Sequence, residues 1–259
     1  MRFSIFLIIL AAVLALTAWS LKSPGVWITD NGNKLILWEN LSQYGDIAIT
    51  NPAGLLDLSD EFFPDAVFHF QKLNDKYYSI YPEYFSVLNV PLYDFFGFRL
   101  WFLLPLIGTL VTLYYWYRLS PLTGRAAVKA ALVLLAATPL LFYTLVFWEM
   151  TLAAAAVMVA LYFLVKRHKY FLSGLILGTG LYLREEMYFA AFAVGVALLI
   201  TDRRRWVSAG RFSVGFLLAA VSIWLRQLFV YGHILGLHGA LYYTHNATEE
   251  TVTPLLRLW

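Results

Sequence analysis

No cysteine occurs in the 259 residues, which excludes disulfides and every chemistry that needs a thiolate. Charge is scarce as well: Asp, Glu, Lys and Arg make up 14 % of the chain against 61 % hydrophobic residues. A water-soluble globule of this size needs more polar surface than that, so the composition predicts a polytopic membrane protein. Signatures of soluble chemistry are also missing. There is no glycine-rich phosphate loop after a strand, no Ser-His-Asp signature, no internal repeat and no low-complexity tract, so no nucleotide is expected as a cofactor. No basic cluster looks like a nucleic-acid patch, and nucleic acid is not an expected partner. His233, His238 and His245 follow one another at separations of five and seven, without the tight HxxxH or HxH pair that a zinc site calls for.

Apolar runs are abundant, and their lengths suit a ~30 Å hydrocarbon core. Seven spans are predicted, at about 3–21, 98–117, 127–147, 150–165, 170–183, 187–201 and 212–231. The expected fold class is an all-α integral membrane protein, a single membrane domain over 1–259. Arg2 followed by an apolar run with small Ala12, Ala15 and Ala18 also fits a signal peptide. The length of the run and the six spans after it favour an uncleaved helix. Basic residues from Arg2 through Arg118, Arg125, Lys166, Arg167, Lys169 and Arg203 to Arg205 fall on alternate connections, and the acids, Asp202 excepted, fall on or near the others. The positive-inside rule then makes the amino terminus cytoplasmic and turns residues 22–97 and the tail after Tyr231 outward from a plasma or inner membrane. Aromatic residues, 18 % of the chain, gather near span ends as an interfacial belt does.

Residues 22–97 form a long acidic outer loop. Leu35, Leu37, Trp38 and Leu41 recur at helical spacing after Asp30 and Asn31, which predicts a helix over 31–44 capped by one of those two. A second helix is expected from Glu83 to Phe96, with Phe85, Leu88, Val90, Leu92 and Phe95 touching lipid or the bundle. The first is read as an amphipathic helix lying at the membrane surface, and the second as another such helix. Asn51-Pro52, Gly54 and Pro64 break regular structure between them. Asn40-Leu41-Ser42 and Asn246-Ala247-Thr248 fit the glycosylation sequon on outward segments.

Charges placed among apolar runs are the strongest functional signal, because a bilayer holds them only at a cost. Lys166 to Lys169 and Arg203 to Arg205 both belong on the cytoplasmic side, so 170–201 must be a hairpin. Each arm of 14–15 residues rises about 22 Å, short of the core thickness, which recesses Arg184, Glu185 and Glu186 below the outer surface. Arg184 with either glutamate reads as a mutual salt bridge or as a phosphate-binding cation beside a proton-handling acid. Glu149, at a tight outward turn after Trp148, reads as a solvated turn carboxylate or as an acid near a site. Arg226 sits about a turn and a half from the outward end of the last span. Asp30 is either a helix amino-cap or a carboxylate that accepts a proton or holds a metal ion. His69, in Phe68-His69-Phe70, reads chiefly as a packed side chain.

The order of these features resembles the GT-C superfamily of polytopic glycosyltransferases that use polyprenyl-phosphate sugars, such as protein O-mannosyltransferases and the lipid A aminoarabinose transferase. The matching pieces are Asp30 after the first span, and a long loop ending in Tyr77-Tyr78-Ser79-Ile80-Tyr81-Pro82 and Pro91-Leu92-Tyr93-Asp94-Phe95-Phe96-Gly97. Phe147-Trp148-Glu149-Met150-Thr151-Leu152, the stretch from Gly174 through Leu183-Arg184-Glu185-Glu186, and Tyr231-Gly232 follow. The resemblance implies an inverting transfer of sugar from a polyprenyl-phosphate donor to an acceptor hydroxyl on a glycan, lipid or protein at the outer face. It implies Asp30 as base, Glu149 as a further acid near the site and Arg184 at the lipid phosphate; the reading of the residues adds Glu185 as an assisting acid and Arg226 beside Arg184 at the phosphate. Glu186, His69 and Tyr81 complete the expected substrate-binding set, and a divalent metal is left open. Many members carry a second acid directly after the first, where this chain has Asn31. Members usually have more spans and a soluble carboxy-terminal part, so the chain is expected to be a fragment or a reduced form. The rival readings are a transporter or flippase of a lipid-linked or anionic substrate, and a non-catalytic membrane subunit.

Overall fold

The computed structural model describes residues 2–21, 29–49, 70–73, 76–202 and 204–237. His69, His238, His245 and the sequon at Asn246 lie outside them. The described chain is mostly helical. Its elements are α1 (Phe3–Ser20), α2 (Thr29–Tyr44), β1 (Phe70–Leu73), β2 (Lys76–Ser79), α3 (Tyr84–Phe96), α4 (Leu103–Leu119), α5 (Gly124–Ala137), α6 (Leu140–Thr144), α7 (Met150–Val165), α8 (Tyr170–Thr179), α9 (Met187–Thr201) and α10 (Arg205–Tyr231). The two strands pair antiparallel, Phe70 opposite Ser79, and Ile49 bridges to Tyr77.

Two described helices, α1 and α10, are long and apolar enough by themselves to cross a membrane, which supports association with one. Helix α1 buries one stripe, Phe3, Phe6, Leu10, Leu14 and Ala18, and leaves Ile8, Val13 and Leu16 outward. Phe192, Ile200 and Phe229 on α9 and α10 likewise point away from the protein, a surface that suits lipid better than water. The remaining expected spans are shorter helices. The one expected over 127–147 is divided: Thr138 is extended because Pro139 follows it, so α5 stops and the short α6 restarts beyond. The first turns expected over 98–102 form a 3-10 segment, Gly97–Leu100, ahead of α4.

The helix expected at 31–44 forms, but it is docked rather than laid on a surface. Polar and apolar side chains alternate around it, so no single face suits an interface. Instead Asn31, Asn33, Lys34, Leu37 and Trp38 are all buried. Asp30 and Asn31 fall inside the helix, which starts at Thr29, and neither is its amino-cap. Helix α3 packs against α2, with Ser86 Oγ donating to the Lys34 carbonyl at 2.9 Å. Phe85 turns inward while Leu88 and Phe95 are exposed.

The core has two parts. Trp38, Phe85, Trp101, Phe102 and Phe147 gather with α1, α4 and α5 in one; α7, α8, α9 and α10 form the other around Leu177, Leu181, Phe212 and Ile223. Small residues set the closest approaches, as they do where lipid gives helices no hydrophobic reason to associate. A Cβ on Gly174 would stand 1.9 Å from the Phe212 carbonyl oxygen, and one on Gly215 would stand 2.0 Å from that of Phe171. These contacts bring the α8 and α10 backbones together. Helix α10 ends at Gly232, whose φ of +70° continues the chain in the left-handed region after a helix.

Candidate functional site

Asp30 and Lys34 are one turn apart on α2 and so share a face. The Asp30 carboxylate accepts a hydrogen bond from the Tyr81 hydroxyl at 3.2 Å. Lys34 runs inward, its ammonium 5.1 Å from the centre of the Tyr81 ring and 3.1 Å from Glu149 Oε2. The turn between α6 and α7 holds Glu149 in place. Asn31 Nδ2 donates to the Phe147 carbonyl at 2.9 Å, the Trp38 ring stacks on Phe147 at 5.0 Å, and Ala153 N–H donates to the Glu149 carbonyl. That leaves the Glu149 side chain facing the interior and almost wholly buried, so it is not a solvated turn carboxylate.

Two cations share this carboxylate. Arg184 Nη1 lies 3.3 Å from Glu149 Oε1, and its Nε donates to Glu186 Oε2 at 2.9 Å, with Nη2 also on Glu186. Desolvating an ion costs several kcal/mol, and Glu149 is tolerated only because both its oxygens face cations. The exposures are unequal: 1 % for the Glu149 side chain, 17 % for Arg184 and 56 % for Glu186. One partner of Arg184 is therefore locked and the other is open to exchange.

A cavity of about 430 Å³ opens beside this cluster. Tyr81, Arg184, Glu185 and Glu186 form its polar side; Leu181, Phe189 and Ile223 are among its apolar walls. Of the residues expected from sequence, Arg184, Glu185, Glu186 and Tyr81 meet directly at the cavity. Asp30 joins through Tyr81, and Glu149 lies behind Arg184. Among the described residues no group of three or more His, Asp or Glu gathers in a way that suits a metal ion.

Arg226 lies elsewhere. It is ion-paired with Glu83, its guanidinium sits 5.0 Å from the Tyr84 ring centre, and Tyr231 donates to Glu83 Oε2 at 3.3 Å. Burial pushes the Glu83 carboxyl above the ordinary carboxylate range, against the pull of Arg226. This second pair fastens the start of α3 to the end of α10, and Arg226 is not among the residues lining the cavity.

Lys34 and Glu83 are the members that sequence reasoning passed over. Lys34 hides before Leu35-Ile36-Leu37-Trp38; its one-turn spacing from Asp30 was the available signal. Glu83 looked like the polar start of a helix, and nothing local to it indicates Arg226. No protein-family model, curated protein or solved structure matches this chain.

Proposed function

We propose that this protein is a membrane glycosyltransferase that moves a sugar from a polyprenyl-phosphate donor to an acceptor hydroxyl, with inversion, at the outer face. In this reading α4, α5 with α6, α7, α8 and α9 cross the membrane with α1 and α10, giving seven spans with the amino terminus cytoplasmic. The observation that carries the reading is the convergence of Asp30, Tyr81, Glu149 and Arg184 from four separate segments at one end of the helices, beside a mostly apolar cavity with charged residues on one side.

The chemistry follows from the placement. The Asp30 carboxylate, oriented by the Tyr81 hydroxyl, takes the proton of the acceptor hydroxyl as its oxygen attacks the anomeric carbon. The bond from that carbon to the phosphate oxygen breaks on the opposite face, and its electron pair leaves with the lipid phosphate. Arg184 stabilises this charge in a site where water is scarce. To reach Arg184 the phosphate displaces the half-exposed Glu186, while buried Glu149 keeps the guanidinium aimed. The apolar walls at Leu181, Phe189 and Ile223 receive the lipid stem.

The test is transfer of labelled sugar from a panel of short-chain polyprenyl-phosphate sugars by the purified chain, beside Asp30→Asn. Turnover or donor hydrolysis that vanishes in the variant, with donor binding kept, is the expected result. No reaction with any donor in folded protein overturns it.

A further inference from the structure

The opposite end of the helices carries a second site of different character. Arg2 stands at the capping position before α1 and Thr123 at that before α5; neither helix start has a side-chain cap or an acidic residue in its first turn. Their leading N–H groups and the positive ends of their dipoles are thus uncompensated. Both border a recess of about 630 Å³ lined by Arg2, Ser4, Tyr114, Tyr117, Arg118 and Gly124. Arg118 reaches there from the last turn of α4. Its Nη1 donates to the Tyr114 hydroxyl at 2.7 Å and its Nη2 to the Tyr162 hydroxyl at 3.0 Å. Arg167 donates to that same Tyr162 oxygen at 3.1 Å.

Two guanidiniums therefore converge on one phenol, each also stacked toward its ring at 5.2 and 5.7 Å. None of the ion pairs among the described residues includes Arg2, Arg118 or Arg167. Like charges held together without a carboxylate repel, and the Tyr162 oxygen neutralises neither. At the opposite end Lys34, Arg184 and Arg226 each face an acid, whereas Arg2, Arg118 and Arg167 are exposed to their surroundings and face none among the described residues.

We propose that this recess binds a phosphate-bearing anion, held by Arg2 and Arg118 and by the N–H groups that begin α1 and α5. Its position at the ends of α1 and α4, two of the proposed spans, fits the headgroup of an anionic phospholipid; a soluble phosphate offers the same chemistry. The site is separate from the proposed transfer centre and stands or falls independently of it.

The test uses the full chain in detergent, incubated with equal amounts of dioleoyl phosphatidylglycerol and dioleoyl phosphatidylcholine. Retained lipid is counted by native mass spectrometry, and inorganic phosphate is tested separately by thermal shift. Wild type is expected to retain phosphatidylglycerol roughly tenfold or more over phosphatidylcholine, the scale two arginines give at a charged surface. Arg2→Gln with Arg118→Gln should remove that preference, and Arg118→Lys, which keeps the charge but loses the planar fork, should keep part of it. Stabilisation by millimolar phosphate, lost in the same double variant, would support the site with a soluble occupant. Equal retention of the two lipids by wild type with no response to phosphate overturns the proposal. So does a preference that persists in a double variant with wild-type circular dichroism and melting temperature.

Discussion

Lys34 Nζ lies 3.1 Å from Glu149 Oε2 with both side chains almost wholly buried, and this contact ties the first segment after α1 to the start of α7. Removing only the acid strands the base. Glu149→Gln should therefore destabilise the protein by about 3–5 kcal/mol, the usual cost of an uncompensated buried charge. Lys34→Met should cost less, because Arg184 still faces Glu149. The double variant should cost less than the sum of the two, measured by thermal unfolding in one detergent.

Asp30→Asn is expected to reduce transfer by roughly 10²–10⁴, the range attributable to a positioned general base, with little change in melting temperature. Tyr81→Phe removes one hydrogen bond from the base, worth about 1 kcal/mol, and should lower kcat several-fold at most. Steady-state kinetics on both variants would separate a base from its orienting partner.

Glu186 holds Arg184 from the exposed side. If the donor phosphate takes its place, Glu186→Gln should tighten donor binding, lowering KM several-fold with Glu149 still orienting the guanidinium. A weaker donor affinity in this variant would show that Glu186 contacts the sugar instead.

Glycine replacements should divide by position. Gly174→Ala pushes a methyl against the Phe212 carbonyl and should cost about 1–3 kcal/mol as overpacking, or more if the backbones cannot part. Gly195→Ala on α9 meets open space and should stabilise by up to about 1 kcal/mol through helix propensity. Paired melting curves would test both.

Two carboxylates between α1 and α4 should respond to pH with opposite sign. The hydrogen bond from Lys76, reinforced by the Ala48 N–H, holds Asp46 below the ordinary range. Its contribution is complete above the unfolded value and is lost as pH falls through the folded one. Glu83 is raised by burial, so the folded state holds its proton more tightly than the unfolded chain does. Stability then falls as pH rises from the ordinary carboxylate value toward the raised one. Melting temperature against pH should show a shallower acid-side slope in Asp46→Asn and a smaller rising-pH decline in Glu83→Gln.

What could be read from the chain was local. The apolar runs at 150–165 and 187–201 coincide with α7 and α9, because the turns at Trp148-Glu149 and Arg184-Glu186 interrupt long hydrophobic stretches visibly. Pro139 is the local signal for dividing the span expected over 127–147 into α5 and α6, but hydropathy alone reads through it because most of its neighbours are apolar. The spacing of apolar residues predicts helix α2 but not its environment. Its mixed periphery makes sense only once Glu149, far along the chain, arrives to meet Lys34. The same holds for Arg226, whose partner Glu83 is set by the path of α3 rather than by any nearby residue. Pairings between distant segments depend on tertiary geometry, and no spacing rule encodes them.

The backbone contact between α8 and α10 leaves no room for a side chain at Gly174 or Gly215, so these two helices are expected to behave as one beam. Helix α9 touches that beam from one side and turns Phe192 and Ile200 outward. Any widening of the cavity beside Arg184 therefore falls to α9 and the strip from Ile80 to Pro82, with the α8–α10 beam as the fixed jaw of the vice.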